Sequence, residues 1–136
     1  MPDTTPADAS QTPETYLGAE REPGYDGSTT YASGLFTMPK ALGADSYGLG
    51  GSWTIGQQSI TAGQSAAIGL AFHASYVYLD VGGTGTLTVT TGGKTTSIKV
   101  SGAPDIYTVA SQQPARNSTV TVRLSPGLAA YSFTFG

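Results

Sequence analysis

A single histidine, His73, and the absence of cysteine leave this 136-residue chain few routes to covalent chemistry. Thiol redox chemistry needs a sulfur and a disulfide needs two, so the chain itself supplies neither. His73 stands in the apolar run 66–81. A functional histidine usually recruits a positioned carboxylate or a further ligand, so a satisfied structural residue is the expectation here. A Ser-His-Asp arrangement can be drawn with Asp80 or Asp105. No Gly-x-Ser-x-Gly nucleophile elbow accompanies it, and serine is too abundant for any one to stand out. Asp26, Asp45, Asp80 and Asp105 fall singly in expected loops and strand ends. Calcium asks for about six to eight oxygens, usually from clustered carboxylates, whereas isolated aspartates serve turns. Neither a catalytic residue, nor a metal, nor a cofactor is expected.

Two further motifs carry little. Gly48-Leu49-Gly50-Gly51 looks like a phosphate loop, but such loops run into a helix whose N-terminus faces the anion. This one runs into Ser52-Trp53-Thr54 and predicts a bend between strands, with Trp53 in the core. Asn117-Ser118-Thr119 matches a glycosylation sequon, a pattern frequent by chance and relevant only in a eukaryotic secretory protein. Aromatic residues offer the positive signal. Tyr25, Tyr31 and Tyr47 lie in Gly/Ser-rich segments away from any alternating strand. An exposed ring can stack on the apolar face of a pyranose while neighbouring polar groups take its hydroxyls. The competing role is a loop aromatic folded back over the core edge. These three are the candidate ligand-binding residues.

The elements that must hold such residues are strands. Only 11% of residues are charged and 19 are glycine, with Thr and Ser in many surface positions. Glycine costs about 1 kcal/mol relative to alanine inside a helix, so the composition favours short strands and tight turns. Leu87 and Val89 alternate with Thr86, Thr88 and Thr90; Gly92-Gly93 forms a turn; Ile98 and Val100 alternate with Ser97 and Lys99. A two-residue loop pairs Thr91 with Lys94, Leu87 with Ile98 and Val89 with Thr96, which keeps one apolar face in register. Val120, Val122 and Leu124 form another strand, and Tyr131, Phe133 and Phe135 a last one, with Ser132 and Thr134 turned outward. Ile106–Val109 adds a short strand. In 66–81 the apolar parity switches from Ile68, Leu70 and Phe72 to Val77, Leu79 and Val81, marking a turn or bulge near His73-Ala74-Ser75. Tyr76 and Tyr78 predict a central strand covered on both faces.

With turn signals every 8–12 residues, the pattern predicts an all-β, antiparallel two-sheet sandwich of about eight or nine strands. It is jelly-roll-like, with an immunoglobulin-like topology left open. Residues 1–12, rich in proline and lacking large apolar side chains, are expected to be a disordered linker, and 13–136 the module. The first twelve residues hold two of the nine acidic residues, which leaves six cations against seven anions elsewhere. No basic patch suited to nucleic acid and no apolar run able to insert in a bilayer is visible.

Several segments resemble a known family. Thr12-Pro13-Glu14-Thr15-Tyr16-Leu17-Gly18 with Arg21, then Gly51-Ser52-Trp53, Phe72-His73-Ala74, Ile106-Tyr107 and Ala130-Tyr131-Ser132-Phe133-Thr134-Phe135-Gly136 are similar to the C-terminal domain of DipZ-type bacterial cytochrome c biogenesis and thiol-disulfide proteins. The resemblance spans essentially residues 12–136, although Ser75 stands where the family commonly has arginine. It implies a β-sandwich like carbohydrate-binding modules, an extracytoplasmic setting (periplasm or cell envelope) and a thioredoxin-like domain upstream in the same protein. The function expected is a non-catalytic carbohydrate-binding-like module with a cell-envelope carbohydrate as partner. The alternative is a docking domain that uses Glu14, Tyr16, Glu20 and Arg21 against the thioredoxin-like domain or its substrate. A hydrolase, built on two facing carboxylates, is the remote third.

Overall fold

A computed structural model describes residues 11–19, 24–27 and 30–136. It contains nine strands: β1 Thr15–Tyr16, β2 Gly34–Phe36, β3 Tyr47–Ile55, β4 Ile60–Ala62, β5 Ala67–Gly82, β6 Gly85–Thr91, β7 Lys94–Val100, β8 Asp105–Leu124 and β9 Ala129–Phe135. No helix occurs among the described residues, and all strand pairings there are antiparallel. The fold is the all-β, sandwich-like one expected.

The β6–β7 hairpin has the anticipated register, with Thr91 opposite Lys94, Leu87 opposite Ile98 and Val89 opposite Thr96. Gly92 and Gly93 take φ of 58° and 77°, the left-handed pair that a type I′ turn requires. Leu87 and Val89 are buried. The other edge of β6 pairs with the end of β8, Leu87 with Leu124 and Thr91 with Val120.

One expected break, between 106–109 and 120–124, is absent, and the other takes the form of a bulge. The segments 66–81 and 106–124 each form one long strand, and β5 and β8 pair along most of their lengths. The parity switch in β5 is a bulge: Ala74 pairs with Arg116 and Tyr76 with Ser111, so residue 75 and residues 112–115 leave the ladder together. Pro114 has no N–H to give a ladder, which suits it to this gap. The Gln112 amide fills the break by donating to the carbonyls of Ala74 and Arg116, at 2.9 and 2.8 Å.

The strand β3 turns a corner at Gly51. Residues 47–50 pair with β5, while Trp53 to Ile55 pair with β4 and Gly51 to Trp53 with β2 on the other edge. Gly51 has φ 78°, and a Cβ there would lie 2.1 Å from the Ser65 carbonyl oxygen, so only glycine fits. Trp53 beside it is buried, its Nε1 donating to the Gly50 carbonyl at 2.9 Å.

The hydrogen bonding closes on itself. β3 pairs with β4, β4 with β9, β9 with the second half of β5, and the first half of β5 returns to β3. Inside lie Leu49, Ile60, Ile68, Leu70, Val77, Leu79, Val122 and Phe133, all essentially without exposure. The coverage of β5 differs from expectation. Its first half is buried on both faces, with Met38 and Leu42 lying against Gly69. Its second half buries Val77, Leu79 and Val81 and leaves Tyr76, Tyr78 and Asp80 half-buried on the other face. Thr12 ties the N-terminal side to this body: it is buried, its hydroxyl donates to Asp45 at 2.5 Å and accepts from the His73 N–H at 2.7 Å.

Candidate functional site

Register places four side chains in one row across the open face. Tyr16 on β1 lies opposite Ser132 on β9, Ser132 opposite Asp80 on β5, and Asp80 opposite Ile106 on β8. Directly opposed residues in antiparallel strands share a face. The next row sets Tyr78 beside Thr134 and Thr108. Tyr76 follows two residues along, its ring nearly parallel to that of Tyr78 at 14° with centroids 6.1 Å apart. Gln113 donates to the Tyr76 hydroxyl at 3.2 Å. Ile106 is one of two large apolar side chains that stand exposed among the described residues.

A cleft of about 390 Å³ opens over the first row, lined by Glu14, Tyr16, Gln57, Gln58, Asp80 and Ser132, together with Gly18 and Tyr131. Gln57 and Gln58 come from the exposed turn between β3 and β4. The Tyr16 hydroxyl donates to Glu14 Oε1 at 3.0 Å. Ser132, expected to face solvent, keeps that direction yet is only 8% exposed, because β1 and the Asp80 side of β5 flank it. The cleft therefore combines an aromatic ring, two amides, two carboxylates and a recessed hydroxyl.

Partial burial raises the Asp80 carboxyl above its ordinary pKa, and the negative charge of Asp105 raises it further. A raised folded-state pKa means the ionised form is disfavoured in the fold. The associated stability is present below the unfolded pKa and is lost as pH rises through the folded one. Asp80→Asn is therefore expected to raise the melting temperature at neutral pH, with the gain vanishing near about pH 3, where the wild-type carboxyl is protonated. Thermal melts of both proteins across that range check this, and an unchanged difference at low pH would contradict it.

The sequence-derived candidates divide between this cleft and other places. Glu14 and Tyr16 line it; Glu20 and Arg21 lie outside the described residues. Tyr25, Tyr31 and Tyr47 converge with Phe36, at ring-centroid distances of 4.6 to 6.3 Å. Tyr47 is fully buried, and Tyr25 and Tyr31 pack against the core with part of their surface exposed. The Tyr31 hydroxyl donates to the Leu17 carbonyl. For Tyr25 and Tyr31 that is the geometry of loop aromatics folded over a core edge, whereas Tyr47, expected away from any strand, opens β3 opposite Leu70 and has no face for a ligand. His73 Nδ1 lies 2.9 Å from Asn117 Oδ1. Asp26 accepts from the Gly43 N–H at 2.8 Å, joining two loops, and Asp105 from the Ile106 N–H at 2.8 Å at the start of β8. Among the described residues no three metal-ligating side chains gather.

A family model described as "Thioredoxin like C-terminal domain" matches residues 12–136. The chain is 43% identical over 138 aligned positions to the protein DipZ of Mycobacterium bovis and to that of Mycobacterium tuberculosis. The match covers 99% of this chain and 20% of each relative, so the chain spans about one fifth of their length. Among solved structures, a family two carbohydrate esterase from Cellvibrio japonicus is similar with a TM-score of 0.58 at 15% identity, covering 64% of this chain and 29% of the esterase chain. That likeness is one of fold.

Proposed function

The chain belongs to the family of thioredoxin-like C-terminal domains, of the DipZ type, and from that membership we propose that it is a non-catalytic carbohydrate-binding module carried outside the cytoplasm by a longer thiol-disulfide protein. The observation that carries the sugar-directed part is the cleft over Tyr16, Ser132 and Asp80. Sugars are bound by an aromatic surface for their C–H face and by planar amides, carboxylates and hydroxyls for their hydroxyl groups. Gln57, Gln58, Asp80 and Ser132 supply the second set around the ring of Tyr16. The occurrence of a similar fold within a carbohydrate esterase agrees with this reading. The rings of Tyr25, Tyr31 and Tyr47 are engaged with one another, so the cleft is the better platform.

The non-catalytic part is supported by membership of a family of C-terminal domains that form one part of a longer protein.

Affinity electrophoresis through soluble cell-envelope polysaccharides tests the reading. Retardation is expected for the wild type, and Tyr16→Ala, with unchanged melting temperature, is expected to weaken it about tenfold, ~1.4 kcal/mol. Absence of retardation by any envelope glycan at millimolar concentration, or full retention by Tyr16→Ala, would count against it.

A second reading has one observation in its favour: Glu14 and Tyr16 border the cleft on the N-terminal side of the body. The same edge is then a docking face for the thioredoxin-like domain of the longer protein. Titration of the labelled chain with that domain would shift the resonances of residues 14–21 under this reading and leave them in place under the first.

A further inference from the structure

Resting on the glycan-binding reading, we infer that the sugar site runs on from the cleft along β5, over Tyr78 and Tyr76. Its ligand is then a linear saccharide of uncharged units, held along its length and not by one terminal residue. Asp80, Tyr78 and Tyr76 follow one another at two-residue steps on the open face of β5. At about 3.3 Å per residue the path from the Asp80 row to Tyr76 is about 13 Å long. The strip is continuous with the cleft and is built by β5, β8 and β9 alone.

The neighbours of the two rings are small on both sides. Tyr78 lies between Thr134 on β9 and Thr108 on β8. Tyr76 lies between Ser111 on β8 and Gly136, which exchanges backbone hydrogen bonds with it. The rings are therefore the tallest features of their rows. They are nearly parallel, at 14° with centroids 6.1 Å apart, and the Gln113 amide holds the Tyr76 hydroxyl at 3.2 Å. Rings already packed and tethered lose little freedom when a ligand settles on them. Among the described residues these two rows carry no charged side chain. An aromatic surface bordered by hydroxyls matches the C–H face and the polar rim of an uncharged pyranose. An extended peptide docks on a sheet by pairing with a free edge, and here both edges of β5 are taken, by β8 and β9.

The test uses disaccharides and hexasaccharides of three uncharged series, built from β-linked glucose, β-linked N-acetylglucosamine and α-linked mannose. Binding is followed by calorimetry and by amide chemical shifts. In the series that binds, the hexasaccharide is expected to bind at least about tenfold tighter than the disaccharide, after correction for the extra registers a longer chain offers. Only the hexasaccharide is expected to move the amides of Tyr76, Tyr78, Thr108 and Thr134 together with those of the cleft. Tyr76→Ala and Tyr78→Ala, each checked by its melt, should bring the corrected affinities of the two lengths together. Should either variant unfold, the shifts of the wild type decide the matter. Equal corrected affinities in the wild type, a length preference that survives both substitutions in folded protein, or shifts confined to the cleft overturn the inference and leave the glycan-binding reading standing. An extended Ser/Thr/Val peptide that moves the same amides while no hexasaccharide does assigns the strip to a protein partner and also overturns it. Binding of none of the sugars overturns it too, and the broader reading falls with it only if the envelope polysaccharides fail as well.

Discussion

A chain ending at Leu128, and so lacking β9, is expected to show no cooperative unfolding transition. The strand is held on both edges. β5 pairs with it from Ala129 to Phe135, and its opposite edge takes β4 at Ala129 and Ala130 and β1 at Ser132 and Phe133. Ala130 and Phe133 have no exposure. Beyond the strand, Gly136 exchanges backbone hydrogen bonds with Tyr76 and accepts from Ser75, at 3.0 to 3.1 Å, clamping the β5 bulge. Removing the Phe133 ring alone would cost about 3–5 kcal/mol, against a total stability of about 5–15 kcal/mol for a domain of ordinary stability. The rest of the strand takes with it the partners of three others. Near-ultraviolet circular dichroism and a urea titration decide the matter, and a sigmoidal melt from the truncated chain would contradict the role assigned to β9.

The second large effect concerns Tyr47. Its ring is fully buried and touches Tyr25 and Tyr31 at centroid distances of 5.8 and 6.2 Å. Tyr47→Ala should therefore lower stability by about 3–5 kcal/mol, as large-to-small aromatic substitutions in cores do, while Tyr47→Phe keeps the ring and should cost far less. Any loss of glycan retention by Tyr47→Ala would then track the unfolded fraction and vanish when the measurement is confined to folded protein. Tyr16→Ala should do the opposite, weakening retention with the melt unchanged. Denaturant titrations paired with binding at low temperature separate the two, and a stable, non-binding Tyr47→Ala would restore Tyr25, Tyr31 and Tyr47 as the platform.

Local patterns were legible where a strand has one wet and one dry face. The β6–β7 register followed from a loop length and an alternation, and the β5 bulge from a change of parity. The length of β8 did not, because residues 110–119 carry little apolar alternation and owe their strand to pairing with β5, a long-range cause. Tyr76 and Tyr78 suggested a second covering layer, yet Met38 and Leu42 cover the first half of β5 and leave the second open. The cleft was legible only in pieces. Glu14 and Tyr16 were noticed for their place near the chain's start, Asp80 as one more isolated carboxylate, and Ser132 as a solvent-facing residue. They meet because β1, β5 and β9 pair across the closed sheet, and no spacing within the chain announces that. Tyr25, Tyr31 and Tyr47 likewise come together, with Phe36 beside Tyr25 and Tyr31, through tertiary packing that Gly/Ser-rich surroundings do not reveal.

The closed circuit through β3, β4, β9 and β5 also sets a timetable. Among the described residues β1 has its strand partner in β9 and β4 takes β9 on its second edge, and the Gln11 side chain reaches the Phe135 carbonyl across 124 positions of sequence. Contacts this distant place the domain among slow folders, on the order of milliseconds to seconds, since loop entropy is lost before the closing contacts repay it. On the ribosome, β6 and β7 can pair as soon as both emerge. β1, and the second edge of β4, must wait until β9 is translated and clear of the exit tunnel. Closure thus waits on β9, and the face that carries Tyr16 exists only once that strand has arrived.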